Sequence, residues 1–494
     1  MNSISEPKNL LIIGIGPHTR KNHVPILLRE IASGTIAKIV GVDIHESSQV
    51  LSRFINTLGS SAFPVIYIPS IDGSAESLTQ STCETLDSVV AQFSIDAVLI
   101  ANHPSVHRVC TRWALERGLD VLLDKPISVR DNCSTNALQA AGIHDDFLQL
   151  AGLYESAKKQ RDLLVSVHCQ RRYNSAFMIM RQLISEVASQ TGCPVTNIQS
   201  CHSDGQWRMP NEFIELPYHS YDRGHGKAAH SGYHILDLVH WFMEAGESED
   251  KKVDMARVHV HATRPADVLA QLSIAEYEKL FPGFRGQCPY DEADVSSRTK
   301  QFGEVDAVVS IAFESAGRTM TLASVNLLHN GFSQRGSMTP NRQDLYKGNG
   351  RVRHETHVIH QGPFQAIYFS GLRTGGSNGS DQVEVRVFRN STFNPSWDAH
   401  RLYDFSPLAP GSTQTRAQVQ DQARERSIRE FLDCLQGKKR RAQVISDLMS
   451  HKRTSTLVSC VYESLSQKWT GDSGTVEADF SLGGTGARMV QLSN

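Results

Sequence analysis

The chain has 494 residues, of which 40% are hydrophobic and 21% charged, and its formal net charge is −2. This composition is typical of a globular protein long enough for two or more domains. The near-neutral charge does not support a nucleic-acid or membrane-surface partner, and no apolar run approaches the roughly 20 residues that span a bilayer. Nine scattered cysteines without a C-x-x-C pair, and an N-terminus without a basic segment, predict free thiols in the cytoplasm.

The first apolar run leads into a turn that contains glycines. Leu10–Gly14 is a buried-strand pattern, Gly16 follows in the turn, and the next strand, Ile39–Asp43, ends in an acid. Glycines permit a tight turn and the close approach of a pyrophosphate to a helix N-terminus, and Asp43 can accept hydrogen bonds from a ribose 2′-hydroxyl. This pattern predicts a dinucleotide site at Gly14, Gly16 and Asp43.

The cofactor prediction is NAD, with NADP left open. A carboxylate at Asp43 repels a 2′-phosphate, which favours NAD. Arg20 and Lys21 lie near in sequence and would favour NADP instead. The third glycine of the usual pattern is replaced by Thr19, so the first helix is expected to begin differently.

A strand–helix–strand unit occupies the region between Ile95 and Pro126. Ala97–Ala101 and Val121–Leu123 are predicted to be its strands, joined by a helix that begins near Pro104. Such a crossover makes the two strands parallel, and ligands bind beyond the carboxyl ends of parallel strands. The polar residues and the proline expected at that edge are Asn102, His103, Pro104, His107, Asp124 and Lys125.

Strands and helices alternate up to about residue 168, and this alternation predicts a doubly wound parallel sheet of α/β class. Beyond it, longer strand-like runs with few helices between them predict a large, mainly antiparallel open sheet. We therefore divide the chain into a nucleotide-binding Rossmann domain, residues 1–168, and an α+β domain, residues 169–494.

Several segments carry more specific expectations. A helix over about 136–159 is predicted to have a polar break at Gly142–Asp146. The polar stretches near 265–300 and 334–353 are predicted to be insertions or long loops. Two closing helices and a loose tail with a short strand are expected at Ala417–Leu435, Asp447–Gln467 and 470–494.

The stretch Ala228–Glu244 is predicted to be an amphipathic helix. Its apolar face consists of Ile235, Leu238, Val239 and Phe242. Its opposite face carries His230, His234 and Asp237, at i, i+4 and i+7. A polar face built from histidines rather than lysines and glutamates favours a site-lining helix over an ordinary solvated face.

Zinc is the alternative for this helix, because histidines at i and i+4 can bind it. Six histidines fall within a short stretch: His202, His219, His225, His230, His234 and His240. However, Ser231 stands where the zinc motif requires glutamate, and there is no cysteine pair. We therefore expect no metal.

Together these motifs resemble the glucose–fructose oxidoreductase, inositol dehydrogenase and rhizopine-catabolism (Gfo/Idh/MocA) family. In chain order they are Gly14-x-Gly16 with His23-x-Pro25, Asn102-His103-Pro104-x-x-His107, Asp124-Lys125-Pro126, Gln170–Tyr173 and Gly232-x-His234-x-x-Asp237. The resemblance runs in order over residues 9–245 and more loosely beyond. It implies a Rossmann domain, an open-sheet domain that often forms a homo-oligomer interface, NAD or NADP, and redox chemistry at a secondary alcohol of a sugar or cyclitol.

The resemblance also implies residue roles. Lys125 matches the lysine of the family's Glu-Lys-Pro motif, with Asp124 in place of glutamate, and His234 matches the histidine that acts on the substrate hydroxyl. His230 stands where many members have aspartate, so it joins the predicted catalytic set. The chemistry agrees, since hydride transfer from an alcohol needs a base and a cation that stabilises alkoxide charge. Histidine titrates near neutral pH and suits the base, and lysine suits the cation.

Three further assignments are less constrained. Arg172 and Asp237 are predicted to bind substrate, although Arg172 could instead cap the sheet edge. His107 is predicted to contact the cofactor, and an ordinary helix-surface histidine is the alternative.

The predicted function is an NAD(P)-dependent oxidoreductase that transfers a hydride to or from a secondary alcohol or ketone of a sugar, cyclitol or related small molecule. Two alternatives stay open: an NAD-dependent glycoside hydrolase of the same family type, and a non-enzymatic nucleotide-sensing regulator. Retention of Lys125 and His234 argues against the regulator. No nucleic-acid or membrane partner is expected, and a homo-oligomer is.

Overall fold

The computed structural model describes residues 6–216, 221–335, 350–374, 382–406 and 416–481, and these form two compact units. Unit 1 comprises Met1–Arg130, Ile143–Asn174 and Ala417–Ser455, and unit 2 comprises Asp131–Gly142, Ser175–Arg416 and Thr456–Asn494. The segment 417–455 therefore clusters with the nucleotide-binding unit rather than with the second domain, to which the sequence boundaries assigned it. Within the described residues, no helix combines the length and apolarity that a membrane crossing requires.

Unit 1 is built on a six-stranded parallel sheet in the order β3-β2-β1-β4-β5-β6. Its strands are β1 (Lys8–Ile13), β2 (Ile36–Ile44), β3 (Val65–Ile68), β4 (Ala97–Ile100), β5 (Asp120–Asp124) and β6 (Val165–His168). The central strands are buried on both faces, as parallel strands covered by helices must be. This confirms the predicted doubly wound sheet. The strand order reverses between β1 and β4, where such sheets bind their ligands.

Thirteen helices lie within the described residues, most of them where the sequence predicts them. They are α1 (Val24–Ala32), α2 (Ser48–Thr57), α3 (Gln80–Phe93), α4 (His107–Glu116), α5 (Ala137–Gln160), α6 (Ser175–Thr191), α7 (Pro210–Glu215), α8 (Gly232–Ala245), α9 (Pro265–Gln271), α10 (Ile274–Leu280), α11 (Glu292–Arg298), α12 (Arg416–Leu435) and α13 (Lys452–Thr470). Of these helices, α7, α9, α10 and α11 were not predicted. The predicted break in α5 is wrong. The helix continues because Asp146 is buried and accepts hydrogen bonds from Ser128 and Arg130, so this acid does not need solvent.

Unit 2 contains a nine-stranded sheet in the order β14-β13-β12-β11-β7-β10-β9-β8-β15. Its strands are β7 (Asn197–Ser203), β8 (Met255–Thr263), β9 (Asp306–Ser315), β10 (Arg318–Leu328), β11 (Val352–Gln361), β12 (Gln365–Thr374), β13 (Gln382–Arg389), β14 (His400–Asp404) and β15 (Thr475–Asp479). β7 and β10 pair in parallel and the other neighbours are antiparallel. This confirms the predicted large, mainly antiparallel sheet.

The two predicted insertions have different outcomes. Residues 265–300 are not a loop, because α9, α10 and α11 bury a small core of their own that includes Tyr277, Phe284 and Val295. The sequence looked irregular because three short helices with separate caps break its periodicity. Of the second insertion, residues 336–349 lie outside the described residues, as do His219 and the tail from residue 482. β15 supplies the short strand expected near the chain end.

Candidate functional site

The turn after β1 requires glycine at its first position. Gly14 has a φ of +93°, and a Cβ added there would lie 2.4 Å from the backbone N and Cα of Asn102. Only glycine fits a position that combines a left-handed φ with such close approach of the β4 end. A Cβ added at Gly16 would meet no atom within 4 Å, so the backbone on that side is open to a ligand.

Asp43, at the end of β2, points toward this turn. Its Oδ2 accepts a hydrogen bond from the Ile15 backbone N–H at 2.6 Å, and its Oδ1 accepts from Ile44 N–H at 2.7 Å. The acid therefore lies beside the glycine turn, as the dinucleotide pattern predicts. Thr19 occupies the third glycine position by donating its hydroxyl to the Gly14 carbonyl at 2.9 Å. Thr19–His23 forms a π-helical turn before α1, which explains the incomplete glycine pattern.

Asn102, His103 and Pro104 lie at the carboxyl end of β4, beside Gly14. His103 precedes a short 3₁₀ turn that begins at Pro104, and its ring Nδ1 accepts from Ser105 N–H at 3.3 Å. His107 is 1% exposed, and its ring nitrogens lie 2.8 Å from the Pro126 carbonyl and 3.1 Å from the Asn102 carbonyl. Burial lowers the pKa of His107. This histidine links the β4 end to the segment after β5, so the helix-surface alternative is wrong and a positioning role fits its contacts.

The end of β5 presents Asp124 and Lys125 at the same edge. The Lys125 backbone N–H donates to Asp124 Oδ1 at 2.9 Å, and the Lys125 side chain is half-buried. The Lys125–Pro126 peptide bond is cis. Asp124 Oδ2 lies 3.9 Å from the Nε2 atoms of both His18 and His23. We call His18, His23 and Asp124 the histidine–aspartate cluster.

The electrostatics of this cluster depend on burial. Burial would raise the pKa of Asp124, but the neighbouring imidazoles of His23, His18 and His168 hold it well below its usual value. Asp124 is therefore ionised at neutral pH. Burial, together with His23, lowers the pKa of His168 well below that of free histidine. The cluster thus combines a carboxylate with imidazoles at the carboxyl edge of the sheet.

The helix α8, which carries His234 and Asp237, is buried on nearly all sides. His234 is 3% exposed and Asp237 is fully buried, while His230 is half-buried with its ring 5.3 Å from that of His225. The alternative of an ordinary solvated face is therefore wrong, because the polar face of α8 lies inside unit 2. The helix begins at Gly232, so the prediction that it starts at Ala228 is wrong: His234 and Asp237 lie on α8, whereas His230 lies in the turn before it.

A charged network that the sequence analysis missed lies just before α8. Lys227 is fully buried and donates to Asp204 Oδ2 at 2.5 Å and approaches His202 Nδ1 at 2.9 Å. The same Asp204 oxygen accepts from the Ser231 hydroxyl at 2.8 Å, and Arg351 also pairs with Asp204. Burial lowers the pKa of Lys227 to about 8, although Asp204 opposes the shift. This network fixes the start of α8, where Ser231 stands between the two predicted catalytic histidines.

A second set of contacts fixes the loop that leads into α8. The Tyr462 hydroxyl accepts from the backbone N–H groups of Gly226 and Ala229 and donates to Glu304. Glu304 also accepts from Ala228 N–H at 2.8 Å, and burial raises its pKa. The sequence offered no signal for these partners, because they lie dozens of residues away from the loop.

Arg172, predicted to bind substrate or cap the sheet edge, is 1% exposed in unit 1. Its guanidinium donates to the Ser450 hydroxyl at 2.6 Å and to the carbonyls of Ile445 and Ser450 at 3.2 Å. These contacts favour the second alternative, since they tie the segment after β6 to the segment that precedes α13.

Comparison with known proteins identifies the nucleotide-binding unit. Residues 8–151 match the family described as "Oxidoreductase family, NAD-binding Rossmann fold" (Gfo/Idh/MocA). No curated protein sequence matches the chain.

Solved structures share the fold over nearly the whole chain at low sequence identity. An oxidoreductase from Agrobacterium radiobacter in complex with NAD+, L-tartaric acid and magnesium is 14% identical with a TM-score of 0.53, covering 96% of this chain and 98% of that one. The aldose–aldose oxidoreductase of Caulobacter crescentus complexed with glycerol is 12% identical (TM-score 0.54, 96% and 100% covered). The scyllo-inositol dehydrogenase of Lactobacillus casei is 13% identical (TM-score 0.53, 96% and 99% covered).

The family match confirms the resemblance over residues 8–151, and its description confirms NAD as the predicted cofactor. The glycine turn, Asp43 and the β4 end fit that cofactor in this structure. Residues 8–151 therefore match the NAD-binding Rossmann fold of the Gfo/Idh/MocA oxidoreductase family, and the solved structures share the fold over nearly the whole chain.

Proposed function

We propose that this protein transfers a hydride between a nicotinamide cofactor and a secondary alcohol or ketone of a small, sugar-like substrate. One observation carries the proposal. Lys125 stands at the carboxyl edge of the same parallel sheet whose switch point holds Gly14 and Gly16. Ligands of doubly wound sheets bind at that edge, so a cation there lies where the redox chemistry would take place.

The cofactor would be held by residues of unit 1. Gly14 lets the turn pack against the β4 end, Gly16 leaves room for the pyrophosphate, and Asp43 would accept from the ribose, while Asn102, His103, Pro104, His107 and Asp124 line or support the β4 and β5 ends. When bound, the nicotinamide supplies the hydride acceptor or donor.

Three side chains carry the proposed chemistry on the substrate. Lys125 stabilises negative charge that develops on the substrate oxygen, and His234 takes or returns the hydroxyl proton. A positioned base of this kind contributes about 10²–10⁴-fold to rate. His230, one turn before His234, shares that proton or binds a neighbouring substrate hydroxyl. Asp237 is proposed to support substrate binding, whereas the contacts of Arg172 favour a structural role.

The substrate class is proposed from the structural neighbours together with the resemblance. An aldose–aldose oxidoreductase and a scyllo-inositol dehydrogenase share this fold from end to end. Because both names denote polyhydroxylated rings or chains, we propose a sugar, a cyclitol or a keto derivative for this chain.

The decisive experiment follows nicotinamide absorbance while the purified protein is offered a panel of sugars, cyclitols and their keto forms. Stoichiometric conversion of NAD with one class of substrate supports the proposal. Cleavage of a glycoside without net conversion of NAD would instead establish the hydrolase alternative. Binding of NAD with neither reaction across the panel would favour the regulator. Lys125→Ala is the matching variant, and Lys38→Ala, an exposed lysine on β2, is its control.

We also propose a homo-oligomer. One face of the nine-stranded sheet exposes apolar side chains, namely Leu322 (55% exposed), Leu402 (49%), Phe388 (45%), Val308 (44%) and Tyr368 (39%). A patch of this kind marks an interaction surface. Phe388→Glu should shift the protein toward monomers in size-exclusion chromatography with light scattering. Leu138→Glu, at an 82% exposed leucine on α5, should not, and an unchanged mass for Phe388→Glu would refute this surface.

The cytoplasm is the proposed compartment. All nine cysteines are free thiols, and most of them are buried. Free thiols are typical of reducing compartments.

A further inference from the structure

Three imidazoles converge around one carboxylate at the carboxyl edge of the sheet in unit 1. The Nε2 atoms of His18 and His23 each lie 3.9 Å from Asp124 Oδ2. One ligand atom from each member of the histidine–aspartate cluster lies within 4.8 Å of the others. A third imidazole, His168, packs against His23 with the ring centroids 4.8 Å apart.

Three ring nitrogens of the buried imidazoles lack hydrogen-bond partners among the described residues, whereas His168 Nδ1 lies 3.1 Å from the Ser427 hydroxyl. His23 is 0% exposed, and neither of its ring nitrogens forms a hydrogen bond with any described residue. Asp124, at 3.9 Å, is too distant for one. His168 is also fully buried, and its Nε2 makes no hydrogen bond within the described part of the chain. A buried imidazole without a partner is costly, so the arrangement requires an explanation.

We propose that His18, His23 and Asp124 bind a divalent transition-metal ion of the zinc class. Zn–N bonds of about 2.0–2.1 Å in a tetrahedral site place neighbouring ligand atoms about 3.3 Å apart. The two 3.9 Å separations from Asp124 need to close by about half an ångström to reach that geometry, and the separation between the two histidines, which is within 4.8 Å, by up to about 1.5 Å. The protein supplies three ligands, which leaves a fourth position for water or another small ligand.

The ligand chemistry selects among metals. Imidazole nitrogens suit zinc, cobalt and nickel, whereas magnesium and calcium prefer several oxygen ligands. Asp124 is the one anionic member of the cluster, and Lys125 and Arg424 both lie close enough to act electrostatically on His18. These two cations oppose the binding of another positive charge. The two cations should prevent the binding of magnesium or calcium, which depends on negatively charged oxygen ligands. Zinc, cobalt and nickel should still bind, because imidazole nitrogens coordinate them.

This site differs from the one weighed from the sequence. The expectation of no metal concerned His230 and His234, at and before the start of α8, and the proposed ligands come instead from the glycine turn, the π-helical turn and the end of β5. The proposal does not rest on the hydride-transfer function. The protein could bind zinc here without acting as an oxidoreductase, and the test below needs no substrate.

The test is zinc binding by the full-length protein after treatment with a chelator and gel filtration. Isothermal titration with Zn²⁺ alone should give about one site per chain, and Mg²⁺ should give no comparable binding. Co²⁺ should produce visible absorption bands characteristic of nitrogen ligands in four-coordinate geometry. His18→Ala and Asp124→Asn should each weaken zinc binding about tenfold or more, because even supporting residues of metal sites change affinity by 10–100-fold. Circular dichroism checks that each variant is folded.

The matched control is the exposed pair on β8, His259 and His261, whose Nε2 atoms lie 3.2 Å apart and could chelate metal adventitiously. The double variant His259→Ala/His261→Ala should keep the stoichiometric site, and so should His230→Ala. The proposal is wrong if wild-type protein shows no stoichiometric zinc, if His18→Ala binds zinc as tightly as wild type, or if either control loses the site. Should Asp124→Asn fail to fold, His18→Ala decides alone, because the His18 side chain is 37% exposed.

Discussion

Replacing Gly14 by alanine tests the geometry of the cofactor turn most directly. The φ of +93° would force an alanine into the left-handed region, which costs about 1–2 kcal/mol. The new Cβ would lie 2.4 Å from the Asn102 backbone, about 1 Å closer than ordinary van der Waals contact. Backbone cannot rotate away as a side chain can, so overpacking adds about 1–3 kcal/mol.

The expected loss is therefore about 2–5 kcal/mol, a large part of the 5–15 kcal/mol that stabilises a typical domain. For a unit of roughly 200 residues, each kcal/mol corresponds to about 2–4 °C, so the melting transition of unit 1 should fall by about 4–20 °C. NAD binding should fall with it, because the turn that receives the pyrophosphate is displaced.

Variants at two other glycines separate the cost of the left-handed φ from the cost of the overlap with Asn102 and from the effect on NAD binding. Gly34 has a φ of +77° but no atom within 4 Å of its added Cβ, so Gly34→Ala carries only the backbone cost of about 1–2 kcal/mol and should bind NAD normally. Gly16 lies on the open side of the turn, so Gly16→Ala should stay within about 0.5 kcal/mol of wild-type stability. It should nevertheless weaken NAD binding about tenfold or more, equivalent to at least about 1.4 kcal/mol.

The assay combines urea unfolding, followed by circular dichroism, with fluorescence or calorimetric titration of NAD. The reasoning predicts that stability falls in the order Gly16→Ala, Gly34→Ala, Gly14→Ala, whereas NAD affinity is lost only in the first and last variants. A Gly14→Ala protein as stable as Gly34→Ala would show that the overlap with Asn102 is not real. Wild-type NAD affinity in Gly16→Ala would show that the pyrophosphate does not approach this turn.

The remaining predictions concern the proposed chemistry and the neighbouring structure. Wild-type protein should bind NAD more tightly than NADP, because the Asp43 carboxylate repels a 2′-phosphate. In parallel titrations, Asp43→Asn should narrow the difference between the two affinities. Tighter binding of NADP by the wild-type protein would contradict this role of Asp43. Lys125→Ala and His234→Ala should each lower kcat about 10²-fold or more. The kcat of the double variant should be only slightly lower than that of the less active single variant, because the effects of residues that act at one transition state are not additive. Full turnover by Lys125→Ala would refute the mechanism. His230→Asp should keep much of the activity with a shifted pH–rate profile if His230 only replaces the family aspartate, whereas collapse at every pH would show that it reads a substrate group. Arg172→Met should lower the free energy of unfolding by about 1–3 kcal/mol by leaving buried acceptors unpaired, with KM unchanged; a raised KM without a loss of stability would return it to the substrate site.

The sequence predicted the parallel sheet well because its signals are local. Runs such as Ala97–Ala101 and Leu10–Gly14 are buried on both faces, so the strand pattern does not depend on any distant partner. The second sheet was harder. β12 was not predicted, although its register with β11 is unbroken over ten residue pairs, because Ser370 and Gly371 interrupt its apolar alternation. Such a strand is specified by its neighbours rather than by its own sequence.

The same distinction between local signals and distant contacts applies to the predicted site residues. The carboxyl ends of parallel strands lie at one edge of the sheet. Knowing which residues follow β1, β4 and β5 was therefore enough to predict that Gly14, Asn102 and Lys125 lie at that edge. The contacts among those residues could not be predicted in this way. Whether His107 faces a ligand or clamps two loops depends on the path of the chain after Asp124, and its two carbonyl contacts come from segments 24 residues apart.

The replacement of glutamate by Asp124 shows how one substitution acquires its meaning only in three dimensions. In the sequence it is a conservative change within a motif. In the structure its shorter side chain stops 3.9 Å from two imidazoles, which is too far for a hydrogen bond to either. One of those imidazoles, His23, is sealed from solvent and has no alternative donor or acceptor among the described residues. A carboxylate one carbon longer could reach His23 directly and satisfy it. With aspartate at this position, a metal ion that bonds to both Asp124 and His23 is the simplest partner for the buried imidazole. The change from glutamate to aspartate in the motif is therefore linked to the proposed metal site.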